Sequence, residues 1–249
     1  MKRFKGKVVI VVELMKGIGF SIAERLGKEG ASVIISSSNK NGLCKAMNEL
    51  RSEHIEVLDV VCDVQKAQHR KKLIEKTLRI YKKIDTIVLN ASIDPYVDCA
   101  SKSHEESLIE KFSRINFKAL TLFLKDAAPH LREGSSVLLV SSIEGSQPKA
   151  SVSIYDVTKI VVIGLTEALA SEMSPKVRIN GVVSGIEETH FADSITKDAT
   201  TMAIMNANTL EKIGNPINIA SVTAFLASTD ASNITGETVM VAGGIHSNM

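Results

Sequence analysis

The sequence lacks the features that mark nucleic-acid-binding, secreted and membrane-spanning chains. Its 249 residues carry 30 basic and 28 acidic side chains, and the basic residues are scattered. A net charge of +2 therefore gives no case for nucleic acid or a membrane surface as a partner. No apolar run is long enough to cross a bilayer, and the chain enters a predicted strand by Lys7. We expect neither a membrane span nor a secretory signal.

Cysteine is also scarce. Cys44, Cys62 and Cys99 are odd in number and do not have the spacing of metal ligands, so we expect reduced thiols, an intracellular compartment and no metal site. Repeats, low-complexity segments and linkers are missing as well. A hydrophobic content of 44% and a charged content of 23% are ordinary for a soluble globular protein. We predict one α/β domain over residues 1–249.

What the sequence does contain is a regular alternation of apolar runs and amphipathic segments. Val8–Val12 is typical of a buried strand, Gly17-Ile18-Gly19 opens a predicted helix, and residues 32–36 form the next predicted strand. Strand, glycine turn, helix and strand within about 30 residues make a βαβ unit of a parallel sheet. The glycines let the backbone approach a pyrophosphate at the helix N-terminus.

The alternation continues along the chain. We predict helices over 43–51, 65–81, 105–131, 155–173 and 217–226, and strands over 55–61, 84–89, 137–140, 177–183 and 237–241. Residues 189–206 are rich in Met, Ala and Thr and have weak periodicity. This segment indicates a mobile lid over a pocket, or alternatively a poorly patterned surface helix.

Ser142, Tyr155 and Lys159 form the constellation with the clearest chemistry. Ser142 closes a predicted buried strand, and Tyr155 and Lys159 lie at i and i+4 of a predicted helix, so their side chains share one face. A phenol has a pKa near ~10, and a neighbouring ammonium lowers it. A serine hydroxyl can hydrogen-bond the same oxygen of a bound carbonyl. The trio suits reduction of a C=O group or oxidation of a C–OH group, although Tyr-x-x-x-Lys alone is usually an ordinary helix face.

The end of the second predicted strand bears on the choice of nucleotide. An acidic residue there binds the ribose 2′-hydroxyl of NAD and repels the 2′-phosphate of NADP. Residues 36–40, Ser-Ser-Ser-Asn-Lys, contain no acid, and Lys16 can reach the same phosphate. Both features favour NADP(H) over NAD(H), unless Lys16 and Lys40 are plain surface lysines. Asp63, at the end of the third predicted strand, is a candidate for binding the adenine amino group.

In their order and spacing these features resemble the short-chain dehydrogenase/reductase family over nearly the full length. The matching residues are Gly17-Ile18-Gly19, Asp63-Val64, Asn90-Ala91, Asn116, Ser142, Tyr155, Lys159, the stretch 185–189 and the tail 225–244. Gly19-Phe20, Ser36-Ser37, Pro95 and Ser141-Ser142-Ile143 make the chain most similar to the peroxisomal member 4 group of NADP-dependent carbonyl/retinal reductases. The resemblance implies a Rossmann-type doubly wound α/β fold, with a seven-stranded parallel sheet between two layers of helices.

The resemblance also implies a role for each matching residue. Tyr155 is expected to act as acid and base on the substrate oxygen, Lys159 to lower the Tyr155 pKa and hold the nicotinamide ribose, and Ser142 to orient the carbonyl. Asn116 is expected to kink its helix and hold a proton-relaying water, and Thr189 to bind the nicotinamide carboxamide. The other expected cofactor-binding residues are Lys16, Gly17, Ile18, Gly19, Ser37, Asp63, Val64, Asn90, Ala91 and Gly185.

The implied activity is hydride transfer from NADPH to the carbonyl of a small ketone or aldehyde, or the reverse oxidation of an alcohol. Members of this family are usually homotetramers, and the final helix and strand are expected to form one subunit contact. The tripeptide Ser247-Asn248-Met249 weakly resembles a peroxisomal address such as Ser-Lys-Leu, so cytoplasm and peroxisome both stay open.

The chain departs from the family pattern mainly in its cofactor half. Glu13 replaces the first glycine of the opening motif, where its side chain crowds a tight turn and brings a carboxylate near the adenosine ribose or the phosphates. Ser92 replaces a glycine, Ser184 a proline and Glu187 an apolar residue. One alternative is therefore a relative with impaired cofactor binding that acts as a binding or assembly protein. An NAD-dependent alcohol dehydrogenase is another, which the missing acid opposes.

Overall fold

The computed structural model describes residues 2–13, 17–90, 106–145, 153–185, 187 and 208–245. Within these ranges one sheet contains β1 (Val8–Val12), β2 (Ser32–Ser37), β3 (Val57–Val61), β4 (Ile84–Leu89), β5 (Leu131–Ser142), β6 (Val177–Ser184) and β7 (Thr238–Val241). The strands lie in the order β3-β2-β1-β4-β5-β6-β7, and every pairing is parallel. This sheet confirms the predicted doubly wound α/β fold.

The described helices are α1 (Ile18–Lys28), α2 (Lys40–Ser52), α3 (Ala67–Tyr81), α4 (Glu106–Ser113), α5 (Ala119–Ala127), α6 (Ser153–Met173) and α7 (Pro216–Ala227). The largest correction concerns the helix predicted over 105–131. A π-helical turn, Arg114–Lys118, divides it, and Leu131 begins β5 instead of ending the helix. Pro129 lies in a short 3-10 turn before Leu131, and its missing N–H and fixed φ end the helix there.

Helices cover both faces of the sheet because successive side chains of a strand point to opposite sides. Val9 and Val11 of β1 pack in one core with residues of α1, α2 and α7. Val8, Ile10 and Val12 pack in a second core with residues of α3, α5 and α6. A strand that is buried on both faces needs no polar side, which explains the continuous apolar run of β1. The predicted three layers follow from this arrangement.

The chain order reverses at the carboxyl end of β1. Val12 pairs with Ser36 of β2 on one side and with Leu89 of β4 on the other. In open α/β sheets, ligands bind in the crevice outside the carboxyl ends of the strands at such a reversal point. Glu13 follows β1 directly and Ser142 ends β5, so both lie at this edge of the sheet. No described helix is long and apolar enough to span a membrane.

Candidate active site

Ser142 lies buried at the carboxyl end of β5, where a single 3-10 turn, Ile143–Gly145, packs against α6. Gly145 permits this close approach, since a Cβ atom there would lie 2.9 Å from the carbonyl carbon of Lys159. The Ser141 hydroxyl donates a hydrogen bond to the Lys159 carbonyl oxygen at 3.0 Å. These contacts fix the end of β5 against the turn of α6 that carries Lys159.

The same helix brings Tyr155 and Lys159 together. Lys159 Nζ lies 5.3 Å from the centroid of the Tyr155 ring, and both residues are buried. The Phe112 ring of α4 meets the Tyr155 ring edge-on, with centroids 6.2 Å apart and an interplanar angle of 79°. Burial lowers the pKa of Lys159 to about 8, and the negative charge of Glu144 opposes that shift. The predicted ammonium–phenol pair is therefore assembled in a site shielded from water.

Asn116 reaches the Tyr155 turn from the π-helical segment Arg114–Lys118. It is buried, and its Nδ2 donates a hydrogen bond to Thr158 Oγ1 at 3.0 Å. Thr158 Oγ1 in turn donates to the Tyr155 carbonyl oxygen at 2.7 Å. The irregular turn lies at the residue where the resemblance implies a kink, and π-helical turns are frequent at functional sites. Asn116 is thereby connected to the backbone of Tyr155.

Glu144 is a site residue that the sequence reasoning missed. Its side chain is buried next to β5, and it accepts a hydrogen bond from Ser142 Oγ. Its charge also acts on Lys159, as the direction of its effect on the Lys159 pKa shows. The signal that could have revealed it is a carboxylate only two residues after a serine that ends a buried strand.

The N-terminus of α1 fits an anionic group. Gly17 precedes the helix with a φ of 86°, a left-handed conformation that glycine adopts without strain. The first turn of α1 contains no acidic residue, so the free N–H groups and the helix dipole favour a pyrophosphate there. Ile18 begins the helix and Gly19 is buried within it, whereas Lys16 lies outside the described residues.

Glu13 places a carboxyl group at the end of β2. Its Oε2 accepts a hydrogen bond from Ser37 Oγ at 3.3 Å, and its backbone carbonyl accepts one from Asn90 Nδ2 at 3.1 Å. Its φ is 56°, in the left-handed region that disfavours residues with a Cβ atom. Burial raises the pKa of Glu13 to about 7, hydrogen bonds from Ser37 and the Ser38 backbone oppose the shift, and the charge of Asp63 adds to it.

Asp63 faces the same cleft but is engaged by its own loop. Its Oδ1 accepts a hydrogen bond from the Gln65 backbone N–H at 3.1 Å, and Lys66 Nζ lies 3.5 Å from its Oδ2. Val64 is buried, and its carbonyl accepts a hydrogen bond from Arg70 at 2.9 Å. An adenine amino group at Asp63 must therefore share the carboxylate with these contacts.

The remaining predicted residues lie beyond β6 or outside the described ranges. Gly185 follows β6, and a Cβ atom there would lie 2.8 Å from the Cα atom of Ala242, so glycine permits close packing against the segment after β7. Glu187 is buried and forms a parallel bridge with Gly214. The predicted features that fall outside the described residues are Ala91, Ser92, Thr189, the expected lid over 189–206 and the tripeptide Ser247-Asn248-Met249.

Most of the described site fits a nicotinamide dinucleotide. The N-terminus of α1 suits the pyrophosphate, Ser37 suits the adenosine ribose, and the Lys159 ammonium suits the hydroxyls of the second ribose. The carboxyl of Glu13, when ionised, opposes a 2′-phosphate. Among the described residues, no group of three or more His, Cys, Asp or Glu side chains is arranged to hold a metal ion.

Known proteins match this chain over nearly its full length. A family model described as Enoyl-(Acyl carrier protein) reductase matches residues 13–246. The chain is 49% identical to Tropinone reductase-like 3 of Erythroxylum coca, with 100% of this chain and 96% of that protein covered. It is 36% identical to human Dehydrogenase/reductase SDR family member 4, with coverages of 98% and 88%. The crystal structure of a short-chain dehydrogenase/reductase from Brucella melitensis superimposes with a TM-score of 0.90, at 29% identity and 99% coverage of both chains.

The family model and the relatives define the class of this protein as an oxidoreductase of a family that uses nicotinamide cofactors. The chain belongs to the short-chain dehydrogenase/reductase family. The resemblance to the member 4 group is confirmed as a relationship at about one-third identity, while the coca relative is more similar.

Proposed function

We propose that the chain transfers a hydride from NADPH to the carbonyl carbon of a small ketone or aldehyde, with Tyr155 as the proton donor. The observation that carries this proposal is the buried Lys159 Nζ, 5.3 Å from the centroid of the Tyr155 ring. An ammonium beside a phenol in a buried site favours the phenolate, so this pair suits proton transfer from Tyr155 to a bound carbonyl. The same groups serve the reverse oxidation of an alcohol.

The cofactor supplies the hydride, and the chain handles the proton and the developing charge. Tyr155 donates its hydroxyl proton to the carbonyl oxygen, and the Lys159 ammonium stabilises the phenolate that is left. Ser142 orients the carbonyl oxygen by a hydrogen bond, for which its hydroxyl must turn away from Glu144. Asn116, through Thr158, holds the backbone of Tyr155 in place.

The proposal of NADP(H) rests on the end of β2. Residues 36–40 contain no acidic side chain, Ser37 lies at the end of the strand, and Lys40 is the first residue of α2. A lysine near a 2′-phosphate favours binding, whereas an acidic residue opposes it. The carboxyl that Glu13 brings to Ser37 acts against NADP(H) when it is ionised.

We also propose that the chain forms a homo-oligomer, because members of the family that it resembles are usually homotetramers. The outer face of α6 exposes Val157, Ile160 and Val161, which lie at i, i+3 and i+4, while its inner face packs on the sheet. α7 exposes Ile217 and Phe225. A second copy of the chain is the occupant that suits such apolar helix faces.

We propose the cytoplasm and the peroxisome as locations of the protein. The peroxisome is proposed because the tripeptide 247–249 weakly resembles a peroxisomal address.

A binding or assembly protein without a cofactor is the second candidate function. The feature that favours it is Glu13, whose side chain occupies a turn that a glycine fits better and contacts the ribose region through Ser37. In that case the cleft holds no dinucleotide, and the buried pair of Tyr155 and Lys159 has no hydride donor to serve.

The first experiment is a fluorescence titration of the purified protein with NADPH, followed by turnover assays on a panel of aldehydes and ketones. We expect saturable NADPH binding and carbonyl-dependent oxidation of NADPH. The absence of binding of both NADPH and NADH at millimolar concentration would favour the assembly protein.

Replacing Tyr155 by phenylalanine tests the proposed proton donor. We expect Tyr155→Phe to lower kcat by about 10²–10⁴-fold, because the general acid is lost. The dissociation constant of NADPH should change by less than about twofold, since the ring and its contact with Phe112 remain. Tyr81→Phe, on α3, is the matched control and should retain full turnover. Normal turnover by Tyr155→Phe would remove Tyr155 from the chemistry.

A further inference from the structure

Two described features meet at the end of β2. The strand itself ends in Ser36 and Ser37 and offers no carboxylate. The neighbouring strand β1 supplies a carboxylate instead. Glu13 directly follows β1, and its Oε2 accepts a hydrogen bond from Ser37 Oγ at 3.3 Å. The Asn90 side chain, after β4, holds the Glu13 backbone carbonyl at 3.1 Å and so supports this placement. Glu13 therefore places a carboxylate at the end of β2, although β2 itself contains no acidic residue there.

The position of a carboxylate at this edge decides what it can bind. A carboxylate at the end of the second strand of a βαβ unit accepts a hydrogen bond from a ribose 2′-hydroxyl and repels a 2′-phosphate. The attraction of the hydroxyl and the repulsion of the phosphate depend on the position of the carboxylate, whichever strand carries it. Asp63 of the next strand does not take this role, because Gln65 and Lys66 engage its two oxygens.

We propose that Glu13 is the residue that discriminates between the 2′-hydroxyl of NAD(H) and the 2′-phosphate of NADP(H). Its ionised carboxylate accepts a hydrogen bond from the hydroxyl and repels the phosphate, whereas its neutral carboxyl donates a hydrogen bond to the phosphate. The inference rests on the proposed function, because it requires a dinucleotide in this cleft. It adds that the preference for NADP(H) holds while Glu13 is protonated and diminishes once Glu13 ionises.

Both forms of Glu13 are accessible near neutral pH, because burial raises its pKa to about 7. From β2 and β4 the facing groups, Ser37 and Asn90, carry no charge. From β3 the facing groups are Cys62 and Asp63. Burial, with the charge of Glu13 as a further cause, raises the pKa of the Cys62 thiol to about 12, so this thiol stays neutral. Asp63 adds negative charge, which also favours the protonated form of Glu13.

Lys66, before α3, and His69, in its first turn, both contact Asp63. Lys66 Nζ lies 3.5 Å from the Asp63 carboxylate, and the Asp63 backbone N–H donates a hydrogen bond to His69 Nδ1 at 3.2 Å. Lys40 begins α2 with an exposed side chain. None of these three makes a described hydrogen bond or ion pair with Glu13, so the titration of Glu13 is the one that governs the contact with the 2′ position.

The test measures dissociation constants of NADPH and NADH at pH 6, 7 and 8. Three proteins are compared: the wild type, Glu13→Gln, and Glu49→Gln as a control on the exposed face of α2. Glutamine keeps the size and hydrogen-bonding capacity of a neutral Glu13 and removes its titration. A 2′-phosphate itself titrates with a pKa near ~6, but this effect is common to all three proteins and cancels in the comparison.

For the wild type we expect NADPH binding to weaken by about tenfold more between pH 6 and pH 8 than for Glu13→Gln, because the neutral form disappears above its pKa. At pH 8 Glu13→Gln should bind NADPH about tenfold more tightly than the wild type, because only about a tenth of Glu13 is still protonated at that pH. Its NADH affinity should be unchanged or weaker, because the ribose hydroxyl loses a charged acceptor. Glu49→Gln should match the wild type throughout.

Equal effects of Glu13→Gln on NADPH and NADH would overturn the inference, since Glu13 would then act through the shape of the turn. A variant indistinguishable from the wild type would overturn it as well. Failure of all three proteins to bind either cofactor at millimolar concentration would instead refute the proposed function. Should Glu13→Gln misfold, Glu13→Gly suits the left-handed φ and must show the same loss of the pH-dependent discrimination.

Discussion

At the scale of single residues, Lys159 shows most directly how burial sets chemistry. Its pKa is lowered to about 8 by burial, so the ammonium is present below that pH and is lost above it. Reduction of a carbonyl by Tyr155 needs this ammonium to stabilise the phenolate. We therefore expect kcat/KM for reduction to decline above about pH 8, which is far below the ordinary pKa of an exposed lysine.

We expect Glu144 to determine the pH at which kcat/KM begins to decline. Its negative charge opposes the effect of burial on Lys159, so Glu144→Gln should move the alkaline limb of the pH–kcat/KM profile to lower pH by about one unit. The measurement is the full profile of NADPH-dependent carbonyl reduction. Glu167→Gln is the control, because Glu167 is exposed on α6, the helix that carries Lys159. This variant should leave the alkaline limb unchanged. An unshifted limb in Glu144→Gln would mean that Glu144 serves Ser142 alone.

At the scale of elements, the π-helical turn Arg114–Lys118 orients the Asn116 side chain towards Thr158 of α6. An α-helical turn would carry the following residues around the axis by about 100° each, and the wider turn changes which side chain meets Thr158. The contact joins residues far apart in the chain and is buried at both ends. The irregular turn is therefore part of how α4 and α5 are docked against the helix that carries Tyr155.

Breaking this contact should disturb the position of Tyr155 more than it disturbs the fold. We expect Asn116→Ala to lower the free energy of unfolding by about 1–2 kcal/mol, because a buried hydrogen bond is lost. We expect kcat to fall by about tenfold or more, with little change in the dissociation constant of NADPH. Thr158→Val removes the other partner, so the double variant should be no worse than the poorer single variant. Fully additive losses would show that the two residues act separately.

Elements that one local pattern specifies were predictable from the sequence. The apolar runs gave β1, β4 and β6 within a residue, and the helix over 155–173 was correct to two residues at its start. The break after Ser113 was not predictable from local pattern, because the π-helical turn is accompanied by a tertiary contact of Asn116 with Thr158 that no spacing encodes. The start of β5 at Leu131 differs from the prediction for a simpler reason, because Pro129 ends the preceding helix.

The same distinction applies within the candidate site. Tyr155 and Lys159 could be placed together because four residues along a helix make neighbours by geometry alone. The contact of Glu13 with Ser37 could not, since it joins the ends of two strands through side-chain conformations that no spacing encodes. The sequence showed the unusual glutamate, but the structure was needed to show which group it faces.

At the scale of the whole molecule, the apolar outer face of α6 predicts how copies associate. Ile160 and Ile80 are similarly exposed, at 44% and 47%, but Ile160 lies in an apolar stripe and Ile80 stands on the largely polar face of α3. We expect Ile160→Lys to reduce the mass measured by light scattering after size exclusion, because a charge in an apolar interface is costly. Ile80→Lys should leave the mass unchanged. Equal masses for both variants and the wild type would place any subunit contact elsewhere.

The strand order has a further consequence for the newly made chain. β1 can pair with β2 once Ser37 has emerged from the ribosome, but its other neighbour, β4, ends only at Leu89. At a translation rate of about 5–20 residues per second, the free edge of β1 stays open for several seconds. That edge is Val-Val-Ile-Val-Val, a segment with strong β-propensity and no charge. Nascent chains of this protein are therefore expected to depend on chaperones until β4 closes the centre of the sheet.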